Sequence, residues 1–236
     1  MLTNNLFALL ITFLAALVWL RIWDFAAHKN WIQPDISRKI IHIGTGPIFV
    51  ACWLLFSKEN ISRYLAALVP LMFTLQFLLI GLGIIKDEAS VKAMSRTGDR
   101  REILHGPLYY GIVFVLLTII YWYDNPIGII ALMLVCGGDG IADIFGRRYG
   151  IKKLPWNKKK SWVGSVMMFT GGWLFSVLMI VLYVSIGVFA GIISSYLLAI
   201  TVITIIATLV ESLPLEDVDN LTISLSAIII GRIFFP

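Results

Sequence analysis

The chain has 236 residues, of which 59% are hydrophobic and 14% charged, with a net charge of +5 and a mean hydropathy of +0.89. That much apolar side chain exceeds what one soluble core can hide, which excludes an ordinary globular domain and points to the bilayer as solvent. The apolar stretches run end to end with short loops, so residues 1–236 read as one polytopic membrane domain, an all-α bundle of about seven to eight transmembrane helices.

In chain order, residues 6–20 (LFALLITFLAALVWL) read as a first transmembrane helix. No Lys or Arg precedes them, so the positive start of a cleavable signal is missing. No Arg- and Ser-rich transit segment precedes them either, and we expect a bacterial chain or an already processed plastid chain. In all there are up to eight spans, at roughly 5–20, 40–56, 64–85, 107–122, 126–146, 163–184, 190–210 and 220–235. Gly44, Gly46 and Pro47 interrupt the second. Cys52 and Cys136 fall inside apolar spans and read as small core residues without a disulfide. The 3 histidines are scattered, so no His/Cys metal cluster is expected.

The charges sort by side. Sixteen of the 19 Lys and Arg residues fall in three loops. Loop 21–39 holds Arg21, Lys29, Arg38 and Lys39; loop 86–106 holds Lys86, Lys92, Arg96, Arg100 and Arg101; loop 147–162 holds the rest. These loops alternate with nearly uncharged ones, which places them in the cytoplasm and the amino terminus outside. Loop 211–219, with Glu211, Glu216, Asp217 and Asp219, falls on the same side. Basic loops that set topology or touch anionic headgroups account for the lysines and arginines alone. They do not account for the acidic groups beside them. Phosphate binders and metal binders on one face are what a nucleotide site requires.

Five segments carry candidate chemistry. In CGGDGIADIFGRR (136–148), Asp139 and Asp143 stand four apart on one helix face, and Arg147 continues the stripe. An aspartate in a span costs about 2.5–3.5 kcal/mol at the centre and less toward the end. Two carboxylates on one side are typical of Mg²⁺ held jointly with substrate phosphates. Gly137, Gly138 and Gly140 are expected to clear side chains away so that a ligand reaches the backbone. The bland alternative is a solvated polar pair near a helix end.

In LPWNKKKSWVGS (154–165), Asn157, Lys160, Ser161, Gly164 and Ser165 open a helix whose free N–H groups, dipole and lysine suit an anion. It is not a Walker A motif, and a basic membrane-surface loop explains Lys152, Lys153, Lys158 and Lys159 as well. In ESLPLEDVDNLTI (211–223), Glu211, Asp217 and Asp219 suit a hard cation, with capping of the last span by Asp219 or Asn220 as the alternative. In DISRKIIHIGTGP (35–47), Arg38 and Lys39 anchor a span at the interface, but an ionisable His42 inside it points to function. In REILHGPLYYG (101–111), Gly106 and Pro107 start a span, and an aromatic belt explains Tyr109 and Tyr110 without any function.

Together RKIIHIGTGP, LHGPLYYGI, CGGDGIADIFGRRYG, NKKKSWVGS and ESLPLEDVDN, in that order over roughly residues 35–225, resemble the phytol kinase branch of the polyprenol and dolichol kinase family. The resemblance implies an integral membrane kinase that moves the γ-phosphate of CTP, with Mg²⁺, onto an isoprenoid alcohol. In the phytol branch the product is phytyl phosphate, which feeds tocopherol and phylloquinone synthesis. It also implies a cyanobacterial plasma or thylakoid membrane, with the site on the cytoplasmic or stromal face. The expected partners are a prenyl alcohol, a nucleoside triphosphate and membrane lipids, with no nucleic acid. The oligomeric state is left open, a homodimer included.

On the residues themselves we expect Asp139, Asp143, Lys160, Arg38 and His42 to be catalytic, with Asp139, Asp143 and His42 unranked as a general base. The nucleotide would meet Gly137, Gly138, Gly140, Arg147, Asn157, Lys160, Ser161, Gly164, Ser165 and Lys39, and the metal Asp139, Asp143, Asp217, Asp219 and Glu211. Gly106, Pro107 and Tyr109 would meet the alcohol. The rivals are a kinase for farnesol, geranylgeraniol or dolichol, a cytidylyltransferase making a CDP-lipid, and a transporter with an intramembrane cation site.

Overall fold

The computed structural model describes residues 2–95, 97–215 and 217–236, so Arg96 and Glu216 lie outside the described residues. The elements are α1 (Leu2–His28), α2 (Pro34–Trp53), α3 (Asn60–Leu82), α4 (Glu88–Met94), a 3₁₀ turn (Arg100–Leu104), α5 (Gly106–Ile120), α6 (Pro126–Met133), a π-helical segment (Leu134–Asp139), α7 (Gly140–Tyr149), α8 (Trp162–Ser185), α9 (Ser194–Glu211) and α10 (Asp219–Phe234). Among the described residues there is no strand, only an isolated bridge between Lys153 and Ser161. The protein is an all-α, multi-pass bundle.

Local sequence sets the ends of these helices. Pro34 and Pro126 stand in the first turns of α2 and α6, where a missing N–H costs nothing. Asn125 accepts from Ile127 N at 2.9 Å and Ser161 from Gly164 N at 3.1 Å, as side-chain caps of α6 and α8. Gly83 ends α3 in the left-handed region, at φ +78°, a conformation that favours glycine.

Among the described residues, six segments are long and apolar enough to cross a bilayer: Asn4–His28, Asn60–Leu82, Arg100–Ile120, Pro126–Tyr149, Trp162–Ser185 and Ser194–Glu211. The second and eighth expected spans, α2 and α10, are outside that set. The start of α2 carries Asp35, Arg38 and Lys39, and α10 has 16 residues. Both are nonetheless built into the bundle, α2 through Phe49, Val50 and Trp53, and α10 through Ile223, Ala227 and Gly231.

One end of the bundle is identified by side-chain contacts. Asn5 at the start of α1 donates to Ser57 and Ser62 at 2.9 and 3.1 Å. Arg63 of α3 pairs with Asp124 after α5 at 2.6 Å, and Asn125 donates to the Phe235 carbonyl beyond α10 at 3.1 Å. The chain therefore runs up and down, and the described residues of the loops at 29–33, 83–105, 150–161 and 212–218 gather at the opposite end.

The rod from Pro126 to Tyr149 is the axis. In its most apolar stretch 78% of the residues are buried, against 11–39% in the other five segments. A helix that is apolar on every side has to be surrounded, and α2, α5, α8 and α10 surround it. Glycines make the approach close. A Cβ on Gly171 of α8 would sit 2.6 Å from the Gly137 carbonyl oxygen, and one on Gly138 would sit 2.7 Å from Met168 Sδ. We expect Gly171→Ala to cost about 1–3 kcal/mol, because the obstacle is backbone and cannot swing away. Gly106→Ala, whose added carbon meets nothing within 4 Å, should leave the melting temperature of the detergent-purified protein unchanged.

Candidate active site

At the end opposite Ser57, described residues of segments 38–45, 94–95, 97–111, 139–165, 211–215 and 217–220 line one cavity of about 710 Å³. The four charged stretches that the sequence puts on one side thus meet at a single site. Its charged part takes Arg38, Lys39 and His42 from α2, Asp139, Asp143 and Arg147 from the axial rod, Lys153, Lys159 and Lys160 from the following loop, and Glu211, Asp217 and Asp219 from the end of α9 onward. An apolar arm continues between α1, α2, α3 and α5, past Leu20, Phe73, Phe77 and Phe114.

The axial rod is locked where it turns π-helical. His42 Nε2 lies 3.0 Å from the Val135 carbonyl oxygen. A carbonyl only accepts, so Nε2 carries a proton and, in a neutral ring, Nδ1 has the lone pair. The Tyr110 ring lies 4.4 Å from the His42 ring, and its hydroxyl donates to the His42 carbonyl at 2.9 Å and sits 3.1 Å from Cys136 Sγ. Asp139, the last residue of the π segment, faces His42 Nε2 at 3.7 Å. Single π turns inside α-helices are frequent at functional sites, and here the turn ends on the carboxylate in the cavity.

Asp143 is held from two sides, by Lys39 Nζ at 2.8 Å and Arg147 Nε at 2.7 Å. Lys160 donates to Asp219 at 3.0 Å and to Glu211. Burial works against the Lys160 ammonium, but Glu211, Asp139 and Asp219 outweigh it and hold the group above its ordinary range. Glu211 Oε2 is buried and without a hydrogen-bond partner among the described residues.

The structure separates the expected site residues into groups. Arg38, Lys39, His42, Asp139, Asp143, Arg147, Lys160, Glu211, Asp217 and Asp219 line the cavity together, as do Gly106 and Pro107. Gly137, Gly138 and Gly140 do not. A Cβ there would meet Phe175 at 2.6 Å, Met168 at 2.7 Å and Ile43 at 2.4 Å, so these glycines serve helix packing rather than ligand approach. Tyr109 is away from the cavity, and its neighbour Tyr110 lines it. Gly164 lines it, yet its Cβ position lies 3.6 Å from Gly146 Cα, where α7 and α8 nearly touch.

The start of α8 offers fewer free N–H groups than expected. Trp162 N donates to the Lys152 carbonyl, Gly164 N to Ser161 Oγ and Ser165 N to the Ser161 carbonyl. Ser161 is thus a helix cap, while the buried hydroxyl of Ser165 has no partner among the described residues. Asn157 is a pin: its amide donates to the Ser212 and Leu213 carbonyls, both at 3.2 Å, and its Oδ1 accepts from Lys159 N. Tyr110 had no local signal to reveal it, because its partner His42 is 68 residues away.

A protein from Glycine max named "probable phytol kinase 3, chloroplastic" is 43% identical over 234 residues, covering 98% of this chain and 73% of its own. A protein from Arabidopsis thaliana named "phytol kinase 1, chloroplastic" is 39% identical over 209 residues, covering 88% and 69%. The chain belongs to the phytol kinase family. A second Arabidopsis thaliana relative in the family's range, named "farnesol kinase, chloroplastic", is 42% identical over 227 residues, covering 95% and 74%. No family model matches the chain, and no solved structure matches it significantly. The family relatives named here are chloroplastic plant proteins, so the expected bacterial origin draws no support from them.

Removing one partner of a buried ion pair strands the other charge. Lys160→Met leaves Glu211 and Asp219 without their shared cation and should cost about 3 kcal/mol. A group held above its ordinary value stabilises below that value and stops doing so as pH rises past its folded value. The gap in melting temperature between wild type and Lys160→Met should therefore persist across pH 6–9 and close only above about pH 10.4.

Proposed function

We propose that the protein is an isoprenoid alcohol kinase that transfers the γ-phosphate of CTP to phytol, giving phytyl phosphate and CDP for tocopherol and phylloquinone synthesis. The observation that carries this reading is the continuity of the cavity, whose charged part suits a polyanionic nucleotide and whose apolar arm suits a prenyl chain. A membrane transporter would show no turnover of CTP, and a structural protein has no use for carboxylates gathered at one end. The charged end faces the cytoplasm or stroma in this reading, in keeping with the loops that hold sixteen of the 19 basic residues.

The residues divide the work by charge. Lys39, Arg147, Lys153 and Lys159 neutralise phosphate oxygens, and Arg38 holds the segment after α4 through the Ser95 carbonyl at 3.0 Å. The alcohol oxygen bonds to the γ-phosphorus as the bond to the bridging oxygen breaks, and CDP leaves. The alcohol proton passes to Asp139 or to His42 Nδ1, both in the lining of the cavity. Because the transition state is loose, most of the acceleration comes from positioning and charge neutralisation.

The donor set fits Mg²⁺ in one form. Among the described residues, no three His, Cys, Asp or Glu side chains form a ready-made metal group. Mg²⁺ commonly takes one or two carboxylates and completes its shell with substrate phosphates and water. Asp139 and the unpartnered oxygen of Glu211 would hold it, and bound there it would spread charge away from the phosphates. Asp143 has both oxygens engaged by Lys39 and Arg147, so it fits better as the residue that orients those cations.

Farnesol is the second reading for the alcohol, since the relative named farnesol kinase is as similar to this chain as those named phytol kinase. The deciding assay supplies purified protein with phytol or farnesol, Mg²⁺ and CTP labelled at the γ-phosphate. Label in a lipid-soluble monophosphate with CDP released supports the kinase. Label leaving as pyrophosphate means attack at the α-phosphate and a cytidylyltransferase.

In the same assay Asp139→Asn should lower turnover at least about a hundredfold with an unchanged melting temperature. Chelating the metal should abolish turnover reversibly. Lys58→Ala, in the loop beside Ser57 at the far end of the bundle, should stay within about twofold of wild type, as expected of a surface residue remote from the site.

A further inference from the structure

The apolar arm has a direction and an end. Helices α1 and α3 run toward the charged part of the cavity, and α2 and α5 run away from it. Along each helix the lining residues are therefore ordered by depth. Leu20, Phe77 and Gly106 lie nearest the charges, and Ala16, Pro70 and Phe114 lie furthest. From Gly106 to Phe114 the rise along α5 is about 12 Å.

The walls differ in stiffness and in size. Phe114 is fixed by aromatic neighbours, with Tyr110 at 4.5 Å and Phe49 at 5.6 Å between ring centroids. Pro70 sits in the middle of α3, buried. Helix α1 also bounds the arm, and its deepest contribution is the methyl group of Ala16. Helix α1 is also held in place. Trp19 Nε1 donates to the Ile41 carbonyl at 3.2 Å, Ser37 Oγ donates to the Trp23 carbonyl at 2.8 Å, and Phe13 stacks on Phe73 at 6.0 Å. A larger side chain at position 16 would thus project into the arm rather than push the helix aside.

We propose that Ala16, Pro70 and Phe114 form the stop that measures the hydrocarbon chain of the alcohol, with Ala16 as the residue that admits a long one. This rests on the kinase reading of the cavity. An apolar pocket distinguishes one methylene only about 10- to 200-fold, but a stop that blocks a whole isoprene unit acts through exclusion.

The test is a graded series, Ala16→Val, Ala16→Leu and Ala16→Phe, with kcat/KM measured for phytol and for farnesol. The phytol-to-farnesol ratio should fall stepwise with side-chain volume, at least tenfold by Ala16→Phe, through KM for the alcohol and with KM for CTP unmoved. Leu14→Phe adds bulk to the same helix at an exposed position outside the cavity and should leave the ratio as it is. A ratio that stays constant across the series, or one that moves equally in Leu14→Phe, overturns the stop. Should Ala16→Phe fail to fold, Ala16→Val gives the same reading at smaller amplitude.

Failure of the kinase reading is visible separately, as absence of turnover of either alcohol by wild type. The arm is then read by heat stability alone. Phytol should raise the melting temperature of wild type more than that of Ala16→Val or Ala16→Leu, and equal shifts overturn the proposal.

Discussion

A helix enclosed by protein on every side constrains everything packed against it, and in this bundle that helix is Pro126–Gly138, the buried part of the axial rod. Away from water and lipid it cannot leave a backbone polar group unpaired or a charge uncompensated. The first demand is met at the π turn, where the Val135 carbonyl accepts a hydrogen bond from His42 Nε2. The second is met by ending the apolar stretch where basic side chains are in reach. Asp139 emerges beside His42, and Asp143 one turn later between Lys39 and Arg147. The close approach of α8 follows from the same enclosure, since only glycine at 171 clears the Gly137 carbonyl.

The charges at this end form interleaved pairs rather than a patch of one sign. Lys160 stands between Glu211 and Asp219, and Asp143 between two cations. Such an arrangement holds each group in place at modest cost, because no ion is left alone as it leaves water. It also suits a ligand that carries both signs, a nucleotide with its metal, since every charge that arrives meets one already oriented. Positioning of this kind is most of what phosphoryl transfer asks of a protein.

The sequence made part of this legible, and the limits have physical causes. The sorting of basic loops to one face was readable because topology follows local charge, and the cavity draws on those loops. Asp139, Asp143, Lys160 and Glu211 stood out because charge next to an apolar span is expensive wherever it occurs. The glycines at 137, 138 and 140 were misread, because a small residue allows approach by a ligand or by another helix equally, and only the fold chooses α8 and α2. Ser161 lines the cavity, but its hydroxyl is taken up in capping α8, because a serine at a helix start satisfies its own helix first. The π turn has no periodic signature. Nor do the residues of the apolar arm, since Phe73 facing a cavity and Leu75 facing lipid are alike in hydropathy.

The position of the cavity follows from the chemistry of its two ligands. A prenyl alcohol is confined to the bilayer and a nucleotide to water, so their reacting atoms can meet only near the boundary. An arm lined for hydrocarbon and a charged mouth open to water must therefore join there, and the join has to exclude enough water to spare the transferring phosphoryl group. In this fold the join is the His42–Tyr110–Asp139 cluster, with the rings of His42 and Tyr110 in contact and the carboxylate beside them. The aromatic pair closes the arm from the apolar side, and the salt-linked loops close it from the other. The acidic residues tolerated in an apolar helix are thus where the two solvents meet, and the cost of putting them there is offset by the cations that a phosphate-binding site needs in any case.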